Sequence, residues 1–327
     1  MSFAHYIREI CSGADNAADM SEHDARQLFG AMLDGGVPEL ELGAILIALR
    51  MKSAALPELL GFYGALSERV FRLNVPSAKA NPVVLPSYSG ARQQPNLLPL
   101  LALLLQRFGL PVLIHGALNG NGRIATAYIL RELGVMPCAS LAQAQEALDK
   151  SGLAFVPTAV LAPGLAELLS LRARLGVRSS AHSLARLIDP FAGECLRVVS
   201  VSHPPYLETM REFLLATGAR ALLLRSTEGE PFADPRHRPR LEYFHDAAAQ
   251  VLFEAEAGPV RMMPALPQAI DAAATAAWIR GVLAGETPVP LPLVNQLACC
   301  LFGSGYTNDM NQAKAIVAVE TGSLVAA

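Results

Sequence analysis

The chain has 327 residues, 52% of them hydrophobic and 17% charged, and a formal net charge of −3. That balance excludes a chain disordered throughout. It shows no global positive excess of the kind that announces a nucleic-acid binder, although local basic patches stay open. The length favours two domains over one core. Cysteines stand at Cys11, Cys138, Cys195, Cys299 and Cys300. Their odd number and the lack of a C-x-x-C pair argue against a disulfide framework or a structural zinc site, and for a reducing compartment. Cys299 and Cys300 lie in the apolar run "LACCLFGSG" and read as core residues. The opening "MSFAHYIREICSG" lacks the basic start and apolar run of a signal peptide. The most apolar stretch, Leu97 to Leu105, falls far short of the roughly 20 residues of a membrane-spanning helix. A cytoplasmic protein is expected.

In chain order, the first 75 residues are helical in pattern. Ser21 is an expected N-cap with Asp24 in the first turn, followed by apolar residues Ala25, Leu28, Phe29, Met32 and Leu33 at helical spacing. Gly35 and Gly36 end that helix. Pro38 and Pro57 open the next two, "PELELGAILIALRMKS" and "LPELLGFYGALSERV". From about residue 80 the pattern alternates. "NPVVLPS", "LPVLIHG", "LAFVPT", "CLRVVSVSHP" and "ARALLLRSTEGE" read as strands, with helices between them. "LEYFHDA" and "QVLFEA" add candidate edge strands, and the C-terminal region is helical. The expected fold is therefore α/β: a small N-terminal helical domain and a larger domain around a mostly parallel sheet.

In such a sheet, ligands bind beyond the carboxyl ends of the strands. Three loops there carry polar residues: Ser87, Tyr88, Ser89, Gly90 and Arg92 in the first; His115, Gly116, Asn119, Gly120, Asn121, Gly122 and Arg123 in the second; Ser202, His203 and Tyr206 in the third. Glycines and hydroxyls before a helix suit an anion, but the same residues suit ordinary turns, and neither a dinucleotide fingerprint nor a "GKS/GKT" loop is present. Arginine is dense in "LRARLGVRSSAHSLARL" (Arg172, Arg174, Arg178 and Arg186) and in "DPRHRPR" (Arg236, Arg238 and Arg240). These suit a solvated helix face and a mobile loop, or phosphate contacts. Metal binding is weakly supported: Glu228 and Glu230 in "TEGE" could hold a hard cation. So could the group Asp234, His237, Glu242, His245 and Asp246, although it lacks zinc-like spacing.

These residues also carry a resemblance. "MSEHDARQLFGAMLDGGVPELELGAILIALRMKSAALPELLGFY", "IHG" and "LRARLGVRSSAHSLARLIDPF" resemble segments of the anthranilate phosphoribosyltransferases, whose fold is shared by the pyrimidine nucleoside phosphorylases. The resemblance implies a helical domain over residues 1–76, joined by helices from about 163–185, and an α/β domain over 77–327. It places Arg172 on the arginine that contacts anthranilate in the enzymes.

The departures are as informative. The family's glycine-rich diphosphate loop is here "PSYSGA", Ile114 stands where the family has a lysine, and Glu230, Pro231 and Phe232 stand where its magnesium-binding Asp-Glu pair belongs. Fewer glycines limit the approach of backbone to a diphosphate, and without the carboxylate pair metal-assisted catalysis loses its support.

"PSYSGARQQPNLLPLL", "GVRSSAHSLARL", "SVSHPPY", "TEGE" and "ACCL" resemble the YbiB-type branch, homologues that lack the biosynthetic activity and bind nucleic acid. That branch implies a homodimer through the helical domain, a basic groove between subunits, no metal and no cofactor. It implies a vestigial anion pocket from Ser87, Tyr88, Ser89, Gly90, Arg92, His115, Gly116, Asn119, Arg172, Arg178 and His182. Candidate nucleic-acid contacts are Arg174, Arg236, Arg238 and Arg240. The alternative expectation is an active phosphoribosyltransferase with an altered substrate; a third is a small-anion sensor.

Overall fold

A computed structural model describes residues 3–11, 19–260 and 265–322. Its contacts divide the chain into two units, Met1–Phe71 with Thr158–Pro190, and Arg72–Pro157 with Phe191–Ala327.

The first unit is helical. Ser21 caps the helix Glu22–Leu33 by accepting the Asp24 N–H at 3.1 Å. This helix packs on the helix Leu56–Ser67 so closely that a Cβ at Gly61 would sit 2.3 Å from the Glu22 carbonyl oxygen. Phe29 and Phe62 meet in the resulting core with ring centroids 5.0 Å apart. Gly164, in the helix Pro163–Ser170, approaches Leu33 in the same way. Buried Glu58 accepts the N–H groups of Met20 and Ala55 and pairs with Lys52 at 2.7 Å, so its charge is neutralised where water is excluded. The continuous helix expected over "PGLAELLSLRARLG" breaks at Leu171, and a second short helix, Arg172–Leu175, ends at Gly176 in the left-handed region, φ 73°.

The second unit holds a seven-stranded sheet in the order β3-β2-β1-β4-β5-β6-β7. Its strands are β1 (Val83–Ser87), β2 (Val112–Gly116), β3 (Leu153–Pro157), β4 (Leu196–Val201), β5 (Ala221–Arg225), β6 (Leu241–His245) and β7 (Ala248–Phe253). The first five pair in parallel; β6 and β7 add an antiparallel hairpin at one edge. That hairpin turns through Asp246 and Ala247, both with positive φ, as a two-residue turn that follows the strand twist requires. β1 to β4 are buried along their whole length, the pattern of parallel strands covered on both faces.

Two apolar helices, Leu98–Arg107 and Leu291–Gly303, contribute to the core, and the second buries Cys299 and Cys300 completely. An amphipathic helix that the sequence reading passed over, Leu141–Ser151, precedes β3 and is capped by Ser140. No helix among the described residues is long and apolar enough to cross a membrane.

Candidate anion site at the carboxyl edge of the sheet

The chain runs outward from β1 to β2 and β3 on one side, and to β4 and β5 on the other. The topological switch point therefore lies between β1 and β4, where open α/β sheets hold ligands. The loop leaving β1 begins at Ser87. Gly116, at the end of β2, stands opposite it in register. A Cβ there would lie 1.7 Å from the Ser87 carbonyl oxygen, so only glycine lets the two strand ends converge. Gly90 turns the loop with φ 65°, against the Ile124 carbonyl.

This loop forms an anion cradle, and the anion in it is the protein's own. The Glu230 carboxylate accepts the N–H groups of Ser89 at 2.7 Å and Gly90 at 2.8 Å through Oε1. It accepts the Ser87 hydroxyl at 2.7 Å and the Thr126 hydroxyl at 3.4 Å through Oε2. Glu230 is 0% exposed. Glu228 does the same for the next part of the loop, accepting the N–H groups of Arg92, Gln93 and Gln94 at 2.9–3.1 Å. The Arg123 guanidinium bonds the carbonyls of Gly90 and Glu228 and lies 3.6 Å from the Glu228 carboxylate.

The "TEGE" turn brings both carboxylates to bear. Glu228 and Gly229 take positive φ, and Thr227 and Glu230 exchange backbone hydrogen bonds. Gln296, on the helix Leu291–Gly303, then clamps the following segment, donating to the Pro231 carbonyl and accepting from the Ala233 N–H. The sequence left open that Glu228 and Glu230 hold a hard cation; the structure gives these carboxylates other partners. Both carboxylates are engaged by N–H and O–H donors, the opposite chemistry to a cation site. Among the described residues no group of three or more His, Cys, Asp or Glu is gathered to hold a metal ion.

The other pocket candidates are distributed as follows. Tyr88 turns inward, its hydroxyl 2.8 Å from His115 Nδ1. His115 is 0% exposed, and burial pushes its pKa down to about 3, so it is a neutral core residue at physiological pH. Its Nε2 has no hydrogen-bond partner among the described residues. Asn119 and Arg92 are exposed. Arg172, Arg178 and His182 belong to the helical unit. There His182 Nδ1 accepts the Ser179 N–H at 3.2 Å. Burial first, then the charges of Arg178, Arg172 and Arg186, pushes His182 down to about 4.

The basic candidates divide by partner. Arg174 is paired with Glu39 at 3.1 Å, Arg238 with Glu256 at 4.0 Å, and Arg240 with Glu242 and Glu254 at 3.6–3.7 Å. The loop that carries Arg236, Arg238 and Arg240 is tied by backbone bonds from Glu256 to Arg238 and from Val260 to Arg236. Among the described residues, the guanidinium groups of Arg92, Arg225 and Arg236 are exposed and have no carboxylate within 4.0 Å. Arg225 ends β5 and was missed at the sequence level, where it reads as the tail of an apolar strand. Thr126 was missed as well; the sign that could have found Glu230 is two glutamates flanking a turn glycine.

Residues 4–70 match the family described as "Glycosyl transferase family, helical bundle domain". The chain is 44% identical over 306 residues to a protein of Escherichia coli (strain K12) called "Uncharacterized protein YbiB", covering 93% of this chain and 95% of that one. It is 26% identical to the anthranilate phosphoribosyltransferase of Methylocella silvestris, over 92% of this chain and 86% of the enzyme. Among solved structures, the anthranilate phosphoribosyltransferase of Thermus thermophilus matches with a TM-score of 0.73 and 24% identity, covering 96% and 95% of the two chains. The Saccharomyces cerevisiae enzyme, solved in complex with PRPP and Mg, also gives 0.73, at 12% identity, covering 98% and 93%.

Proposed function

We propose that the chain, which belongs to the family of the Escherichia coli YbiB protein and shares the fold of the anthranilate phosphoribosyltransferases, is a non-catalytic, cytoplasmic homodimer that binds nucleic acid through phosphate contacts. The observation that carries the reading is the filled cradle. A phosphoribosyl donor delivers a diphosphate with its metal to backbone N–H groups, and here those of Ser89 and Gly90 are held by Glu230. A second anion at that point would meet a buried carboxylate, a like-charge encounter that low dielectric makes costly. The residues present therefore do not fit a magnesium diphosphate, and no cofactor is required.

The nucleic-acid half of the reading rests on the resemblance and on charge placement. Arg92, Arg225 and Arg236 leave the sheet at or beyond its carboxyl edge without carboxylate partners among the described residues. Unneutralised arginines of this kind give affinity without sequence reading, because phosphates are the same at every base. This replaces Arg174, Arg238 and Arg240 as the leading contacts with Arg92, Arg225 and Arg236, since the former three lie beside carboxylates.

The dimer half is supported by the helix Glu39–Lys52, where Leu40, Ile47 and Met51 form an exposed apolar stripe, with Leu40 at 83% and Met51 at 81%. A stripe of that size on a surface helix fits a second copy of the same helical unit.

Fluorescence anisotropy of labelled single- and double-stranded oligonucleotides across a salt series tests the binding reading. Tight binding with a steep salt slope is expected; no binding at low salt overturns it. Turnover with phosphoribosyl diphosphate, Mg²⁺ and a panel of aromatic amines and nucleobases would overturn the non-catalytic part. Sedimentation of wild type against Leu40→Glu with Met51→Glu tests the dimer, which should dissociate.

A further inference from the structure

A second candidate site lies in the α/β unit, away from the filled cradle. The helix Pro205–Thr217 covers one face of the sheet at the β5–β6 border, and between them is a cavity of about 200 Å³. Leu207 and Leu223 form its apolar wall, and Leu224, whose side chain faces the other side of β5, borders it through the strand. Glu208, Arg211, Arg225, Arg240 and Glu242 supply its charge. Side-chain alternation explains the grouping: Leu223 and Arg225 share a face of β5, and Glu242 stands opposite Leu223 on β6, with Arg240 two residues before it.

The charges are not equivalent. Glu242 is buried and is held by Arg211 through Nε and Nη2 at 2.9–3.1 Å, while Arg211 Nη1 reaches Glu208 at 3.3 Å. Those three side chains neutralise and orient one another. Arg240 sits 3.6–3.7 Å from its two carboxylates without a hydrogen bond to either. Arg225 is exposed and has no partner among the described residues. The lining therefore carries three arginines against two glutamates, with the Arg225 guanidinium left without a carboxylate partner among the described residues at the rim and Arg240, which is ion-paired, behind it.

We propose that this cavity seats one phosphate and its attached sugar from a polynucleotide strand, with the base directed outward. The inference rests on the nucleic-acid reading above and names the unit recognised. Guanidinium groups grip phosphate oxygens in pairs. The leucines offer contact to the sugar. The volume is below the roughly 300–1,000 Å³ of pockets that enclose a drug-sized ligand, so a base stays outside. A site that holds sugar and phosphate but not base binds strands with little sequence preference.

The test is titration calorimetry of the full chain with the dinucleotide TpT, and separately with deoxyribose 5-phosphate, for wild type, Arg225→Ala, Arg225→Glu and Arg236→Ala. Arg225 is exposed and makes no side-chain hydrogen bond or ion pair among the described residues, so its variants should fold; thermal melts check this. TpT should bind wild type and weaken about tenfold or more in Arg225→Ala, the loss of one charge-assisted contact. It should weaken further in Arg225→Glu and be unchanged in Arg236→Ala, which lies outside the cavity.

Deoxyribose 5-phosphate binding as tightly as TpT would assign the site to phosphate esters in general; weaker binding would assign it to the internal phosphodiester. TpT binding that is absent, or equal in wild type and Arg225→Glu, overturns the cavity proposal even if long strands bind. Arg225-dependent TpT binding without any strand binding sustains the cavity and sinks the nucleic-acid reading instead.

Discussion

Two regions at the carboxyl edge of the sheet carry groups suited to anions, and they have met opposite fates. In the loop leaving β1 the donors are backbone N–H groups, and the chain's own carboxylates take five of them: buried Glu230 takes the buried N–H groups of Ser89 and Gly90, and Glu228 takes those of Arg92, Gln93 and Gln94 nearer the surface. Around the end of β5 and the loop that follows, the donors are exposed guanidinium groups, and Arg225 and Arg236 have no carboxylate partner among the described residues. The difference follows from solvent. A buried N–H cannot be left unpaired without a cost comparable to a lost hydrogen bond, so the Ser89 and Gly90 groups need an acceptor, which Glu230 supplies. A solvated arginine carries no such obligation and stays available for a partner that comes and goes. The same fold has therefore closed an anion site in its interior and kept cationic groups on its surface.

Acid should give the largest effect, through two buried histidines: His115 beside the closed loop and His182 in the helical unit. His115 and His182 are held neutral when folded, at about 3 and about 4 against an ordinary 6.5, so below that value the unfolded chain binds protons that the folded chain refuses. Stability is therefore complete above about pH 6.5. It is lost as pH falls towards the folded-state values, by about 1.4 kcal/mol per pH unit for each histidine. Urea unfolding across pH 4 to 8 checks this, and His115→Gln should flatten its share of the slope; a flat profile in wild type would show that these rings are not sequestered.

Next is Glu230→Ala. It leaves the N–H groups of Ser89 and Gly90 buried without an acceptor, at about 1–3 kcal/mol each, or roughly 2–6 kcal/mol in all. Added inorganic phosphate should raise the melting temperature of this variant more than that of wild type. An unchanged stability would mean that the cradle does not need its internal anion.

For the open region, Arg225→Ala and Arg236→Ala should leave the melting temperature in place while each lowers the salt slope of strand binding by about 0.7–0.9, and so should Arg92→Ala, an exposed residue on the closed loop. A change in stability with no change in slope would reverse the roles of the two regions. The smallest effect is expected at Arg174→Ala, whose exposed pair with Glu39 is screened by water; strand affinity and melting temperature should both match wild type.

The sequence by itself determined the order of elements and their class. Alternating strands and helices after about residue 80, the Ser21 cap and the apolar run around Cys299 and Cys300 all appear in the structure as read. Those features are local: they depend on periodicity and on residues three or four apart. The family was legible from long motifs such as "PSYSGARQQPNLLPLL". The state of the anion loop was not. Glu230 is separated from Ser89 and Gly90 by 141 and 140 residues, and no spacing rule links a turn after β5 to a loop after β1. Which arginines are neutralised was hidden for the same reason, since Arg240 and Glu254 meet only when β6 and β7 fold back on each other. Tertiary structure decided where each charge finds its partner. Burial then made that decision matter, because an unpaired polar group is cheap in water and costly in the core.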